Sequence, residues 1–455
     1  MNITRREVLK VGAGVSLFAA GVSASPGPND TINLGIIGCG LRSRELLPCF
    51  MNAAGVRVVA VCDVNSRRME EVRQLAGGER VRAYHDYRKL LDDKDVHAVI
   101  IATNVHWHVL CTIGACQAAK DVYVEKPLCH FSGEGRYAVE AARKYDRIVQ
   151  IGTNQHSCEH YKKAVEIIRS GRLGNIMEVK VWDTEHYGSL GRPADCDPPK
   201  ELDWDFYVGP SPMRPYNPCY LAFDWFKAFG GGFQVAWGVH HYDIVNWAMG
   251  VKWPKAVMAA GGNYAGFNDM REWPDTFSAI VEYGPGPVAK DGFILQYTAR
   301  PANRYLHRSH SKSFHGTLGT LWIDRSRYTI VGERQSGRLV DKEGAALATG
   351  GKLIPDEEVR AGNDIYRHIQ VFLDNVRSHK KPEADVEVGY YATNVGHLMN
   401  ISYEVGRKIH WDGQRNLVVA GQEADRRNRA GFREVLAMDQ VLPLSGEQLF
   451  QLWNL

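Results

Sequence analysis

The chain has 455 residues, 44% of them hydrophobic and 24% charged, and a formal net charge of +3. Such a balance describes a globular protein large enough for two or three cored domains. So small a charge, with no basic stripe or nucleic-acid motif, does not imply a polyanionic partner and leaves small molecules as the expected ligands.

In chain order, the first signal is Thr4-Arg5-Arg6-Glu7-Val8-Leu9-Lys10, followed by a modestly apolar run to Val22 and small residues at Val22-Ser23-Ala24. This is the pattern of a twin-arginine leader, here residues 1–24, which hands an already folded protein to the export machinery of a bacterial membrane. The apolar run is too short to span a bilayer, so a periplasmic or secreted protein without stable membrane insertion is expected. A linker, 25–31, carries Ser25-Pro26-Gly27-Pro28. The nine cysteines end at Cys219 and none has zinc-knuckle spacing. They are expected to be buried free thiols, suited to folding in a reducing cytoplasm before export.

The run Ile32-Asn33-Leu34-Gly35-Ile36-Ile37 reads as a buried parallel strand that feeds Gly38-Cys39-Gly40 and a helix over 42–53. A second apolar run, 56–62, ends in Asp63, where a dinucleotide fold places an acid for the ribose hydroxyls. Glycines at 38 and 40 allow the tight turn and the approach of a pyrophosphate to the helix N-terminus, and Ser43 stands where a third glycine is usual. Asp63 favours NAD over NADP, because a carboxylate there repels a 2′-phosphate, although Arg67 and Arg68 follow closely. Strands at 98–102, 122–124 and 149–151 alternate with helices at 109–119 and 133–144. The predicted fold is a Rossmann-type doubly wound parallel sheet over 32–155. Strand-like runs at 178–182, 276–283, 292–297 and 320–323 lack crossover helices and predict an α+β C-terminal domain, 156–413, with a large, open, mostly antiparallel sheet. An exposed sheet face of that kind predicts a homodimer or homotetramer. The tail, 414–455, has no readable role.

Several segments resemble the Gfo/Idh/MocA oxidoreductases: Ala102-Thr103-Asn104-Val105-His106-Trp107-His108, Glu125-Lys126-Pro127-Leu128, Gly152-Thr153-Asn154-Gln155, Gly230-Gly231-Gly232, and Gly238-Val239-His240 with Asp243 and Trp247. The resemblance runs from about Asn33 to Gly413 and implies a nicotinamide cofactor and a sugar, polyol or sugar-derivative substrate. It implies cofactor contacts from Gly38, Gly40, Leu41, Arg42, Asp63, Thr103, Asn104, His106, His108, Glu125, Lys126 and Gln155. Lys126 would hold the substrate hydroxyl and His240 would be the acid/base partner, a reasonable pair because loss of hydride from a carbinol carbon requires removal of the hydroxyl proton.

One departure stands out. The family commonly has an aspartate four residues before this histidine, and here that residue is Ala236. Either His240 works with Lys126 alone, or Asp243, Asp183 or Glu185 substitutes, or the chemistry differs. The spacing of His106 with His108 and of His240 with His241 offers no third ligand, and no catalytic metal is expected. Tryptophans 107, 182, 225 and 237 and Tyr187 are sugar-stacking candidates, each more simply read as core.

Export and cofactor chemistry together imply tightly bound, internally recycled NAD, since free NAD is scarce outside the cytoplasm. Sugar oxidation coupled to reduction of a second substrate, as in the glucose-fructose oxidoreductases, meets that need. So does a redox-neutral glycoside hydrolysis by transient C3 oxidation, which needs a second base such as His186, Tyr187 or Asp183. The third reading is a secreted binding protein that has lost catalysis with the aspartate at position 236.

Overall fold

Two sheets organise the chain, and their different pairing follows from what lies between their strands. The computed structural model describes residues 31–185, 187–305, 308–334 and 352–419. The leader, residues 25–30 of the linker, His186 and the tail beyond 419 lie outside the described residues.

The first sheet alternates strand and helix: β1 (Ile32–Ile37), α1 (Leu41–Met51), β2 (Val56–Cys62), α2 (Ser66–Ala76), β3 (Arg82–Tyr84), α3 (Tyr87–Asp92), β4 (Ala98–Ile101), α4 (His108–Gln117), β5 (Asp121–Val124), α5 (Gly135–Lys144) and β6 (Val149–Ile151). Its six strands are all parallel, in the order β3-β2-β1-β4-β5-β6. Helices cover both faces, so β4 and β5 are buried at every position, and β4 and the Val122–Val124 part of β5 read as continuous apolar runs rather than alternating ones. The side chains of Asn65 and Asp86 accept the Arg68 and Arg88 N–H groups at the starts of α2 and α3, worth about 1 kcal/mol each. Strand order reverses between β1 and β4, which opens a crevice beyond the carboxyl ends of the strands.

The second part runs through α6 (Glu159–Arg169), β7 (Ile176–Asp183), α7 (Trp204–Val208), α8 (Phe233–Ala236), α9 (Gly238–Met249), β8 (Ala256–Gly262), β9 (Thr276–Tyr283), β10 (Phe293–Ala299), β11 (His310–Gly316), β12 (Gly319–Ile323), β13 (Arg327–Gly332), β14 (Glu357–Arg360), α10 (Ile365–Ser378), α11 (Val386–Val405), β15 (Ile409–Asp412) and β16 (Leu417–Val418). Among the described residues its sheet has ten strands in the order β14-β13-β12-β11-β7-β10-β9-β8-β15-β16. Only the β7–β10 pairing is parallel. Burial alternates along β9 and β10 with the period of two expected for a sheet covered on one face. Phe277, Ala279, Val281, Leu295 and Tyr297 share a buried cluster with Tyr242, Val245 and Leu398 of α9 and α11. The opposite face carries half-exposed Met258, Ile280, Ile294 and Val331.

The chain then returns to the first sheet. Ile369, Phe372 and Leu373 of α10 pack in one cluster with Leu34 and Ile36, and Val386 and Tyr390 of α11 pack with Val124 and Ile151. A boundary at 155/156 therefore separates the two sheets but not the two cores.

Candidate active site

The turn after β1 is built for a close approach. Gly38 has φ +91°, and a Cβ there would lie 2.6 Å from the Ala102 and Thr103 backbone beyond β4, so only glycine lets the two strand ends meet. At Gly40 a Cβ would meet nothing within 4 Å. The constraint there is not internal packing; the open space lies at the N-terminus of α1, where a pyrophosphate is stabilised. Ser43 is buried and donates to the Gly40 carbonyl at 2.9 Å. Asp63 accepts from the Cys39 N–H at 2.5 Å and the Asn65 N–H at 2.7 Å, which ties the first turn to the end of β2, and burial pushes its carboxyl up. Gly38, Gly40, Asp63, Arg68, Thr103 and Asn104 line one cleft. These residues fit a dinucleotide: a glycine cradle at a helix start, an acid at the end of the second strand, and a cleft leading from one to the other.

A strap from the second part closes the far end of this cleft. Ser66 N–H donates to the Glu201 carbonyl at 2.8 Å, and Asp203 N–H to the Val64 carbonyl at 2.9 Å. His85 contacts Asp203 at 2.8 Å. Leu202, Phe206 and Tyr207 form the wall opposite Asp63. The His106 Nε2 donates to the Tyr207 carbonyl at 3.0 Å, and burial takes its pKa down to about 4. His108 lies between the carbonyls of Pro127, 2.7 Å from Nδ1, and Thr103, 3.0 Å from Nε2. Burial lowers its pKa too, so the ring is neutral and donates to one of them. Both histidines thus fasten loops around the cleft through backbone carbonyls.

The reacting end lies beyond β5. Glu125 accepts from Arg42 Nε at 2.8 Å, linking the start of α1 to the Glu-Lys-Pro segment, while Leu41 projects into solvent at 76% exposure. Lys126 Nζ donates to the backbone carbonyl of Ala236 at 3.2 Å and lies 5.7 Å from the centre of the Trp237 ring. Desolvation lowers the Lys126 pKa, opposed by the charges of Glu125 and Asp224. His240, on the first turn of α9, is buried with Nδ1 unpartnered. Burial, with Lys126, Arg325, His241 and Lys312 nearby, holds its pKa well below the ordinary value, so the ring is neutral.

Two residues that the sequence did not single out join this group. Asp224, on a short 3-10 turn, accepts no side-chain hydrogen bond among the described residues. Burial raises its pKa to about 6, moderated by Lys126. It therefore brings a carboxylate to the lysine where Ala236 cannot. The glycine run places it: Gly232 N–H donates to the Asp224 carbonyl at 2.8 Å, and a Cβ on Gly230 would lie 2.6 Å from the Asp224 Cα. Lys312, on β11, is fully buried and donates to Gln155 Oε1 at 2.7 Å, with burial taking its pKa down to about 7. Gln155 is thereby committed to a lysine of the second sheet.

The other carboxylates considered from sequence have partners. Asp243 meets His156 Nε2 at 2.9 Å, and the His156 ring stacks on Trp247. Asp183 accepts from His241 Nε2 at 2.9 Å and from the Tyr297 hydroxyl at 3.1 Å. Glu185 lies 3.3 Å from His310 Nδ1. Tyr187 packs against Trp225 and Phe233 with its hydroxyl buried and unpartnered, and desolvation raises its pKa.

A nucleotide cradle on a doubly wound sheet, with a lysine, a neutral histidine and a carboxyl where a second sheet meets it, defines a dinucleotide-dependent oxidoreductase architecture. Residues 32–153 match the oxidoreductase family with an NAD-binding Rossmann fold, and 202–410 match its C-terminal alpha/beta domain. The chain belongs to the Gfo/Idh/MocA oxidoreductase family. It is 34% identical over 151 residues to an inositol 2-dehydrogenase of Salmonella typhimurium, a match that spans 33% of this chain and 45% of that one. It is 24% identical over 372 residues to the scyllo-inositol 2-dehydrogenase (NAD(+)) of Bacillus subtilis, covering 79% and 90% of the two chains. A levoglucosan dehydrogenase structure, in complex with NADH and levoglucosan, aligns with TM-score 0.60 and 18% identity over 84% of this chain and 99% of that one.

Proposed function

We propose that the protein is an exported, NAD-dependent dehydrogenase of a sugar or polyol that keeps its cofactor bound between turnovers. The observation that carries this reading is the convergence of Lys126, beyond β5, and His240 on the Trp237 ring, 5.7 and 5.9 Å from its centre, with Asp224 acting on the lysine through its charge. Relatives named for inositols and levoglucosan support a polyhydroxylated ring as substrate. Bound in the cleft, the nicotinamide would supply the acceptor for hydride from a carbinol carbon. Lys126 orients that carbinol oxygen and stabilises the charge that grows on it; neutral His240 takes the hydroxyl proton, and Asp224 balances the lysine. Asp63 at the end of β2 favours NAD over NADP. The named relatives are dehydrogenases and give no support to net glycoside hydrolysis or to a purely binding role.

Retention of NAD rests on the strap. Asp203 caps α7 through the Phe206 N–H and contacts His85. Asp203→Ala should cost about 1 kcal/mol of closure and speed NAD release roughly five-fold, read by stopped-flow fluorescence of NADH. Unchanged release would remove the strap from the account. Export rests on the Arg5-Arg6 leader, which lies outside the described residues. The half-exposed Met258, Ile280 and Ile294 are proposed to pack on a second copy; Ile280→Asp should yield monomers in sedimentation velocity, and an unaltered oligomer would refute that face.

The reading is tested on the mature protein purified without added nicotinamide. Inositols, levoglucosan and free sugars are added while reduced-nicotinamide absorbance is followed. The expected result is a rise limited to one equivalent per protomer and reversed by a second carbonyl compound. No rise with any of them, even after NAD is supplied, would overturn the reading.

A further inference from the structure

Arg325 is a cation at the reacting end that the chemistry above leaves unused and that, unlike Lys312 with Gln155, has no side-chain hydrogen-bond partner among the described residues. It stands in the tight turn between β12 and β13, where its neighbour Asp324 is already occupied by Ser326, the Arg327 N–H and, at 2.6 Å, Arg308. Among the described residues Arg325 makes no ion pair, and its Nε is buried without a hydrogen-bond partner. Its guanidinium carbon lies 5.1 Å from the centre of the Trp237 ring, the same ring that Lys126 Nζ approaches at 5.7 Å. The two cations are therefore no further apart than the sum of those distances, close enough for one ligand to touch both. The place of Arg325 over the Trp237 ring turns its side chain inward, toward the ring that Lys126 and His240 also approach.

Glu125 is held by Arg42, while Asp243, Asp183 and Glu185 each face a histidine rather than Arg325. Asp224 remains, and it acts on Lys126. The contact with the Trp237 ring leaves the buried Nε–H unanswered, which is costly unless a ligand completes it. Its planar fork matches a carboxylate with two parallel hydrogen bonds.

We propose that the substrate is a sugar acid, uronic or aldonic, whose carboxylate pairs with Arg325 while its reacting hydroxyl reaches Lys126. The inference rests on the dehydrogenase reading for the reacting hydroxyl, but the carboxylate contact can be measured without turnover.

The test is calorimetric binding to the NADH-loaded protein of glucuronate, galacturonate and gluconate against glucose, galactose and glucitol, with glucose 6-phosphate as a second anion. It is run on the wild type, Arg325→Gln and Arg325→Lys, with thermal melts to verify folding. The expected result is at least ten-fold tighter binding of one acid than of its neutral partner, loss of that preference in Arg325→Gln, and partial return in Arg325→Lys. Equal binding of acid and neutral forms, a preference that survives Arg325→Gln, tighter binding of the phosphate, or no binding of any acid would each overturn the proposal. Oxidation of a neutral sugar without acid preference would sink the proposal and leave the dehydrogenase reading intact. Acid preference without oxidation of any substrate would do the reverse.

Discussion

Lys126→Met should lower kcat/KM about 10³-fold while leaving NAD affinity within about two-fold, because the lysine acts on the substrate oxygen. Methionine nearly matches the length of the buried stem, and removing a desolvated charge spares the fold a cost. Steady-state kinetics with NADH titration separates the two effects, and a loss confined to NAD affinity would move Lys126 out of the chemistry. Asp224 gives the same site a pH signature. Its carboxyl is raised to about 6, so it is ionised, and able to balance Lys126, only above that pH. The wild-type kcat/KM should rise through pH 6, and Asp224→Asn should abolish that limb. An identical acid limb in the variant would show that another group titrates there.

Acid should unfold the protein well above the carboxylate range. Burial takes the pKa values of His106, His241 and His397 down to about 4 and that of His368 to about 3. In the unfolded chain each titrates near its ordinary value of about 6.5. Between those limits the unfolded state binds more protons, so the stability these rings contribute is full above pH 6.5 and falls as pH drops toward 4. The slope approaches about 1.4 kcal/mol per pH unit for each ring. Urea midpoints measured from pH 7.5 to 4.5 should fall steeply below pH 6.5, and a flat profile would contradict this accounting.

The parts of the fold that were legible share one physical trait: their signal is local. The step from Ile37 to Gly38, the acid at Asp63 and the fully apolar β4 each declare themselves within a few residues, and β9 occupies the expected 276–283. Lys126 and His240 could be singled out because short motifs surround them. Asp224 and Lys312 were not. Asp224 is placed by the fold-back of the glycine run that follows it, and Phe223-Asp224-Trp225 resembles any loop. Lys312 sits in His310-Ser311-Lys312-Ser313, polar enough to read as surface, yet Ser311, Lys312 and Ser313 are wholly buried, Ser311 answered by the Ile323 carbonyl of the next strand and Lys312 by Gln155 from a distant part of the chain. Contacts between residues some 150 positions apart leave no periodicity to detect.

The return of α10 and α11 to the first sheet sets the order in which the protein can be made. A ribosome releases β1 to β6 early, but the apolar surfaces of Leu34, Ile36 and Ile151 must wait for Phe372, Leu373 and Val386. The nucleotide-binding half is thus a latecomer in its own biogenesis, finished only when nearly all of the chain has emerged. Capture of the dinucleotide becomes a closing event of synthesis, and a chain truncated before residue 390 should be recognised by proteases as unfinished along its entire length.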